Sequence, residues 1–384
     1  MGNVTAALTI EDLKNMARRR VPKMFFDYAD SGALTEQTYR DNESDFSRIR
    51  FRQRIARNLA GRSVKTTMVG QDVSMPVALA PTGLTGMQHA DGEMLAARVA
   101  EEFGVPFTLS TMSICSIEDV KSVTTKPFWF QLYVMKDKDF VRSLLDRARA
   151  AGVSALVLTM DLQMLAQRHK DLRNGLSTPP RFTPKHIWQV VTRPMWGLGM
   201  AGTSRRTFGN IVGHAKGVSD LRSLSAWTAE QFDLELDWND VGWIKDYWGG
   251  KLIIKGVLDA EDARRAVDTG ADALIVSNHG GRQLDGAVSS IRALPAIVDA
   301  VGADIEVHMD GGIRTGIDIA RAMALGARGT FIGRPFLYGL GAGGAAGVRR
   351  TLEILYSELD VTMALCGERD IHDMGMHNIA SVDG

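Results

Sequence analysis

The sequence is short of several things, and each shortage excludes a class of protein. Only Cys115 and Cys366 are cysteine among 384 residues. They lie far apart and in no CxxC pair, so neither a disulfide framework nor a metal centre of the zinc type is expected. Charge of one sign is not in excess: 45 basic residues face 45 acidic ones, which leaves no global field to draw in nucleic acid. No uninterrupted apolar run has the length needed to span a bilayer. The opening MGNVTAALTIEDLKNMARRR lacks the basic-then-apolar order of a secretory signal. A reducing compartment on the cytoplasmic side is the expectation.

What is present is a rhythm. Residues 9–50 read as a polar helical segment, with Thr9, Glu11 and Asp12 as a helix start and ARRR with Pro22 as a stop. From residue 76, short apolar runs alternate with amphipathic stretches: PVALAP (76–81), FTLST (107–111), FWFQLYV (128–134), ALVLTMD (155–161), LIIKGV (252–257), ALIVSN (273–278), IEVHMDGG (305–312) and GTFIGR (329–334). Runs this short and this unbroken suit parallel strands buried on both faces. The stretches between them, such as GEMLAARVAEEFG and AEDARRAVDTG, have helical spacing and a closing glycine. Eight runs predict an α/β fold of the (β/α)8 barrel type, one domain over residues 1–384. The rhythm breaks once, between Asp161 and Leu252. Residues 170–225 read as an insertion over the barrel mouth, and HIWQVVTRPMWGLGM within it suits either a lid or a peripheral membrane contact.

Polar residues fall where the runs end. Ser110, Gln131, Tyr133, Thr159, Asp161, Lys255, Ser277, His279, Asp310, Gly333 and Arg334 all sit at or near C-terminal strand ends, where a barrel gathers them at one mouth. In SNHGGRQLDG (277–286), His279 offers a proton acceptor near neutral pH and Arg282 a bidentate grip on a carboxylate. DGGIRTG (310–316) and FIGRP (331–335) offer glycine N–H groups and an arginine each at the seventh and eighth strands, where barrels of this kind hold phosphate. GLGAGG (339–344) matches a dinucleotide fingerprint but lacks the ribose-binding acid that should follow, so it reads as a glycine-rich helix start. Lys255 leaves two chemistries open: a Schiff-base nucleophile acting on a phosphorylated sugar, or a cation beside a ring that gains negative charge.

These motifs together resemble the FMN-dependent family of L-2-hydroxy acid oxidases and dehydrogenases. The resemblance runs from PKMFFDYADSGA through FWFQLYV, IIKGV, SNHGGRQLDG, DGGIRTG and FIGRP, and AQRHKDLRNGLSTPP is most similar to the bacterial respiratory L-lactate dehydrogenases. It implies that His279 is the base and Asp161 its orienting carboxylate. Arg282, Tyr28 and Arg168 would hold the substrate carboxylate, and Tyr133 the substrate hydroxyl. FMN would lie against Ala80, Pro81 and Thr82, with Ser110, Gln131 and Thr159 on the ring edge and Lys255 with Ser277 near the N1 and O2 side. Asp310 would meet the ribityl chain, and Gly312, Arg314, Gly333 and Arg334 the phosphate. Leu162 and Gln163 depart from the plant-type oxidases, and Met112 stands where glycolate-type members have tryptophan, so the substrate pocket should differ. The expected reaction is oxidation of a small L-2-hydroxy acid, L-lactate to pyruvate, with electrons passed to quinone or another respiratory acceptor. The family also implies a homotetramer. Alternatives are an oxidase using oxygen, a larger substrate such as mandelate, or the cofactor-free Schiff-base barrel.

Overall fold

Each of the eight apolar runs forms a strand: β1 Val77–Leu79, β2 Thr108–Ser110, β3 Trp129–Tyr133, β4 Ala155–Thr159, β5 Lys251–Val257, β6 Ala273–Val276, β7 Glu306–Asp310 and β8 Gly329–Ile332. The structure is a computed structural model that describes residues 3–175, 183–215, 217–218 and 231–382. Strands β2 to β8 pair in sequence order, all parallel, and β8 pairs with β1. A parallel bridge between Leu79 and Phe107 closes the circle, with the Leu79 N–H donating to Pro106 O at 2.8 Å. The chain is a (β/α)8 barrel.

The unbroken apolar runs follow from this closure. Successive strand residues point to opposite faces. Ala78, Trp129, Val157, Ile253, Ile275 and Phe331 fill the barrel interior. Their sequence neighbours Val77, Phe130, Leu156, Ile254, Leu274 and Ile332 pack outward among the helices. The hairpin Thr66–Met68 and Gln71–Val73 plugs one end, putting Met68, Val69 and Val73 into the interior cluster. The same alternation carries Gln131, Thr159, Lys255 and Asp310, each two residues beyond an inward-facing position, to the opposite end.

The N-terminal segment is helical as its pattern predicts, in three pieces: Ile10–Arg20, Lys23–Ala29 and Gln37–Ser44. Thr9 and Asp12 form a reciprocal capping box at its start, worth about 1 kcal/mol of helix stability. Ile49–Phe51 pairs antiparallel with Ile379–Val382, joining the two ends of the chain. One expectation needs correction. GLGAGG lies inside the helical stretch Arg334–Leu365, and Gly343 and Gly344 break it in two, Gly344 with φ 58°. The glycines are there for close approach: a Cβ at Gly339 would come within 2.4 Å of Gly347 O.

Of the segment read as an insertion, residues 176–182, 216 and 219–225 lie outside the described residues. The rest includes helices Pro184–Val191 and Pro194–Gly202. Trp196 ties this pair over the barrel mouth. Its ring stacks on Phe25 with centroids 5.4 Å apart, and its indole N–H donates to Met87 O at 2.9 Å. Among the described residues, no helix is long and apolar enough to cross a membrane.

Candidate active site

The C-terminal ends of the strands surround a cavity of about 750 Å³, within the size range of cofactor and ligand sites. On one side His279, Tyr133, Tyr28, Met112, Arg168 and Arg282 line it. Thr159, Lys255 and Asp310 form its floor, and Ala80, Pro81 and Thr82 one wall. Gly312, Arg314, Gly333 and Arg334 close the far end. Asp161, Ser110, Gln131 and Ser277 stand one layer behind the lining residues.

Behind β6 the chain turns through three residues with positive φ: His279 at 59°, Gly280 at 64° and Gly281 at 72°. The glycines take this conformation freely, whereas a histidine there costs about 1–2 kcal/mol. The strain aims the ring at Asp161, whose Oδ1 lies 2.8 Å from His279 Nδ1. Asp161 reaches that position because Gly256, at the irregularity in β5, has φ 107° and no side chain; a Cβ there would meet Asp161 Cβ at 2.7 Å. Burial alone would raise the Asp161 carboxyl, but His279 and then Lys255 hold it below the usual carboxylate range. An ionised carboxylate only accepts, so Nδ1 carries the proton and donates, leaving Nε2 as the free base. Burial, with help from Lys255 and Arg168 and against Asp161, keeps the histidine below its ordinary value. The ring is therefore neutral and ready to take a proton.

Opposite the base sits a pair of arginines. Arg282 spends Nη1 on Tyr28 O, Ser31 O and Ser31 Oγ at 2.6, 3.0 and 3.1 Å, and lies 4.7 Å from the centroid of the Tyr28 ring. Burial and then the like charge of Arg168 lower its proton affinity. Arg168 has a buried Nε with no partner and a distant contact, 3.7 Å, with Asp171. Two cations this close and this dry call for an anion. Burial, then Asp161, pushes the Tyr133 hydroxyl well above its usual range, so it stays a donor.

Lys255 Nζ lies 2.8 Å from Ser277 Oγ and 2.9 Å from Asp310 Oδ2. Burial works against the charge, but Asp310 and then Asp161 prevail and raise the lysine above its ordinary value. A lysine locked as ammonium is a poor Schiff-base nucleophile, which argues against the aldolase alternative. Around it, polar atoms stand buried and unsatisfied: Gln131 Nε2, Thr159 Oγ1 and Asp310 Oδ1. Ser110 Oγ donates to Gln131 Oε1 at 2.9 Å, which fixes the amide with its Nε2 left without a partner. Native interiors leave few such atoms, so the floor fits a polar ring edge such as that of FMN. At the far end, Gly311 and Gly312 have φ 90° and 80°, and a Cβ on Gly312 would lie 1.8 Å from Asn42 O. Arg314 pairs with Glu43 at 2.7 Å. Arg334 donates from Nε to Ala29 O, from Nη1 to Gly280 O and from Nη2 to Ser31 O. These three bonds brace the turn beside His279 and leave one N–H on each of Nη1 and Nη2. Arg314 is engaged in the same way, by Glu43 and Ile313 O, and the phosphate end of FMN would rest on glycine N–H groups and these two arginines.

Sequence reasoning missed Asp171 and Phe208, which also line the cavity. Burial lifts the Asp171 carboxyl above its ordinary value despite both arginines. Its spacing of three from Arg168 was a usable signal. Nothing local marks Phe208.

The FMN-dependent dehydrogenase family model matches residues 17–381. An L-lactate dehydrogenase of Pseudomonas entomophila (strain L48) is 46% identical over 364 residues, covering 94% of this chain and 95% of that one. One of Stenotrophomonas maltophilia (strain K279a) is 46% identical over 373 residues, covering 97% and 98%. Among solved structures, that of the monotopic membrane protein (S)-mandelate dehydrogenase superposes with a TM-score of 0.93 at 35% identity, covering 97% of this chain and 99% of that one.

Proposed function

The chain belongs to the FMN-dependent dehydrogenase family, and from that premise we propose that it oxidises L-lactate to pyruvate and passes the electrons to a quinone at a membrane surface. The observation that carries the reading is the convergence, in one cavity, of the His279–Asp161 pair, the two arginines and the Lys255 ammonium. When bound, FMN supplies the two-electron acceptor for C2 of the hydroxy acid. The residues do the rest. Arg282 and Arg168 take the substrate carboxylate, answering the unmet demand of the arginine pair. Tyr133 hydrogen-bonds the hydroxyl oxygen. His279 Nε2 takes a proton from the substrate, and Asp161 stabilises the imidazolium so formed. Lys255 compensates negative charge at the ring edge. A three-carbon acid is favoured over mandelate by the identity to lactate dehydrogenases, 46% against 35% for the mandelate structure.

The segment over the mouth supports the proposed acceptor. Residues 172–219 hold seven Lys or Arg and no Asp or Glu. The helices Pro184–Val191 and Pro194–Gly202 turn Ile187, Trp188, Val191, Met195 and Leu198 to solvent. Basic charge with exposed aliphatic and indole side chains suits an anionic bilayer surface, on the cytoplasmic face, where a lipid-soluble quinone is at hand. A tetramer is the proposed assembly. The test is the visible spectrum of the holoprotein, recorded anaerobically with L-lactate and then in air. Bleaching by L-lactate with slow return in air supports the reading; rapid return makes the protein an oxidase, and bleaching by mandelate alone moves the substrate assignment.

A further inference from the structure

The strained turn at His279 is held from far away in the chain. Asn42, on the helix Gln37–Ser44, and Asn278 exchange two hydrogen bonds, each Nδ2 donating to the other's Oδ1 at 2.8 Å. Asn278 Oδ1 also accepts from the Gly281 N–H at 3.0 Å, across the three left-handed residues. Its Nδ2 donates to Val288 O at 3.1 Å, and the Ser290 N–H donates to Asn42 Oδ1 at 3.2 Å. Both side chains are buried, and neither lines the cavity. A buried reciprocal amide pair is satisfied only as a pair; removing one half leaves a buried donor and acceptor unmet on the other. Asn42 also abuts the opposite end of the site, since its backbone oxygen is what a Cβ at Gly312 would strike. One residue of the N-terminal segment thus touches both the turn that carries the base and the glycines at the phosphate end.

We propose that Asn42 and Asn278 are positioning residues for the reaction: their amide pair locks the 278–281 turn so that His279 keeps Nδ1 on Asp161 and Nε2 toward the substrate. The proposal rests on His279 being the base. Three charged groups bear on the imidazole: Asp161, Lys255 and Arg168. Arg334 also holds the neighbouring Gly280 carbonyl. A loosened turn admits water to the ring and removes the burial that keeps it neutral, so the imidazole moves back toward its ordinary proton affinity. Small misplacements of a base are costly in rate while leaving the carboxylate clamp, and hence substrate affinity, in place.

The experiment uses Asn42→Ser and Asn278→Ser holoenzymes, with His279→Gln as control, in anaerobic single-turnover flavin reduction by L-lactate across pH. The expected result is a rate per bound flavin lower by about tenfold or more, substrate affinity changed by less than about twofold, and an acid limb displaced to higher pH. If Asn42→Ser does not retain FMN, Asn278→Ser decides, because its hydroxyl can still accept from the Gly281 N–H while the pair is broken. Normal rates per bound flavin with an unmoved acid limb, and only a lower melting temperature, would overturn the proposal and leave the pair a purely structural one. Undiminished reduction in His279→Gln would instead remove the base assignment beneath it.

Discussion

The barrel and the two helices over its mouth treat apolar residues in opposite ways. In the barrel, Leu156, Leu158, Ile254, Leu274 and Val276 are wholly buried. In the helices, Ile187 and Trp188 are 67% exposed and Leu198 68%. Fully burying such a side chain is worth about 1.5–3 kcal/mol, a gain the barrel takes and the helices leave unused within the chain. The charges differ likewise. Around the cavity they are fixed by partners, as Lys255 is by Asp310 and Ser277 and His279 by Asp161, whereas the sequence of the overlying segment is basic without acids. The difference fits the proposed division of labour, in which the barrel holds the chemistry and the overlying helices meet a membrane surface.

Substitutions in the two regions should have separable effects. The largest effect should come from His279→Gln. FMN should stay bound, since the residues proposed to hold its ring and phosphate lie elsewhere, while flavin reduction in stopped flow falls by about 10²–10⁴-fold. Arg282→Ala removes one of the two cations facing the substrate. It should cost about 1.5–3 kcal/mol of carboxylate binding, read mainly as a higher KM for L-lactate. At the other region, Ile187→Ser with Trp188→Ser should leave turnover with a soluble dye as in the wild type and weaken sedimentation with vesicles containing anionic lipid. Equal loss of dye turnover would erase the distinction between the two regions.

Much of the barrel was legible because its causes are local. Strands buried on both faces must be short and apolar, and GEMLAARVAEEFG or AEDARRAVDTG must show helical spacing, so eight strands stood where eight runs predicted them. The cluster of polar residues at the mouth was legible for the same reason, since period-two alternation carries Thr159 and Lys255 there once their strands are placed. What was not legible depends on partners distant in sequence. Asn42 and Asn278 meet across 236 positions, and no periodicity announces them. Arg334 looks in sequence like a phosphate ligand, and its bonds to Ala29, Ser31 and Gly280, which brace the turn at His279, could not be read there. GLGAGG looked like a helix start, and the approach of Gly339 to Gly347 explains the break instead. The left-handed conformation of His279 is invisible too, because sequence suggests such backbone only at the glycines beside it.

Burial keeps His279 neutral while Asp161 stays ionised behind it. The pH dependence of the second-order rate constant for flavin reduction in the wild-type holoenzyme, measured by anaerobic stopped flow at L-lactate well below saturation so that it reports the free enzyme, tests this directly. Because the histidine is held below its ordinary value of 6.5, its base form persists as pH falls through 6.5, and protons remove it only lower down. The rate should therefore be flat through neutrality and decline only below pH 6.5. A midpoint at or above 6.5 that vanishes in His279→Gln would mean the imidazole is solvated or held as imidazolium by Asp161, and would contradict the account.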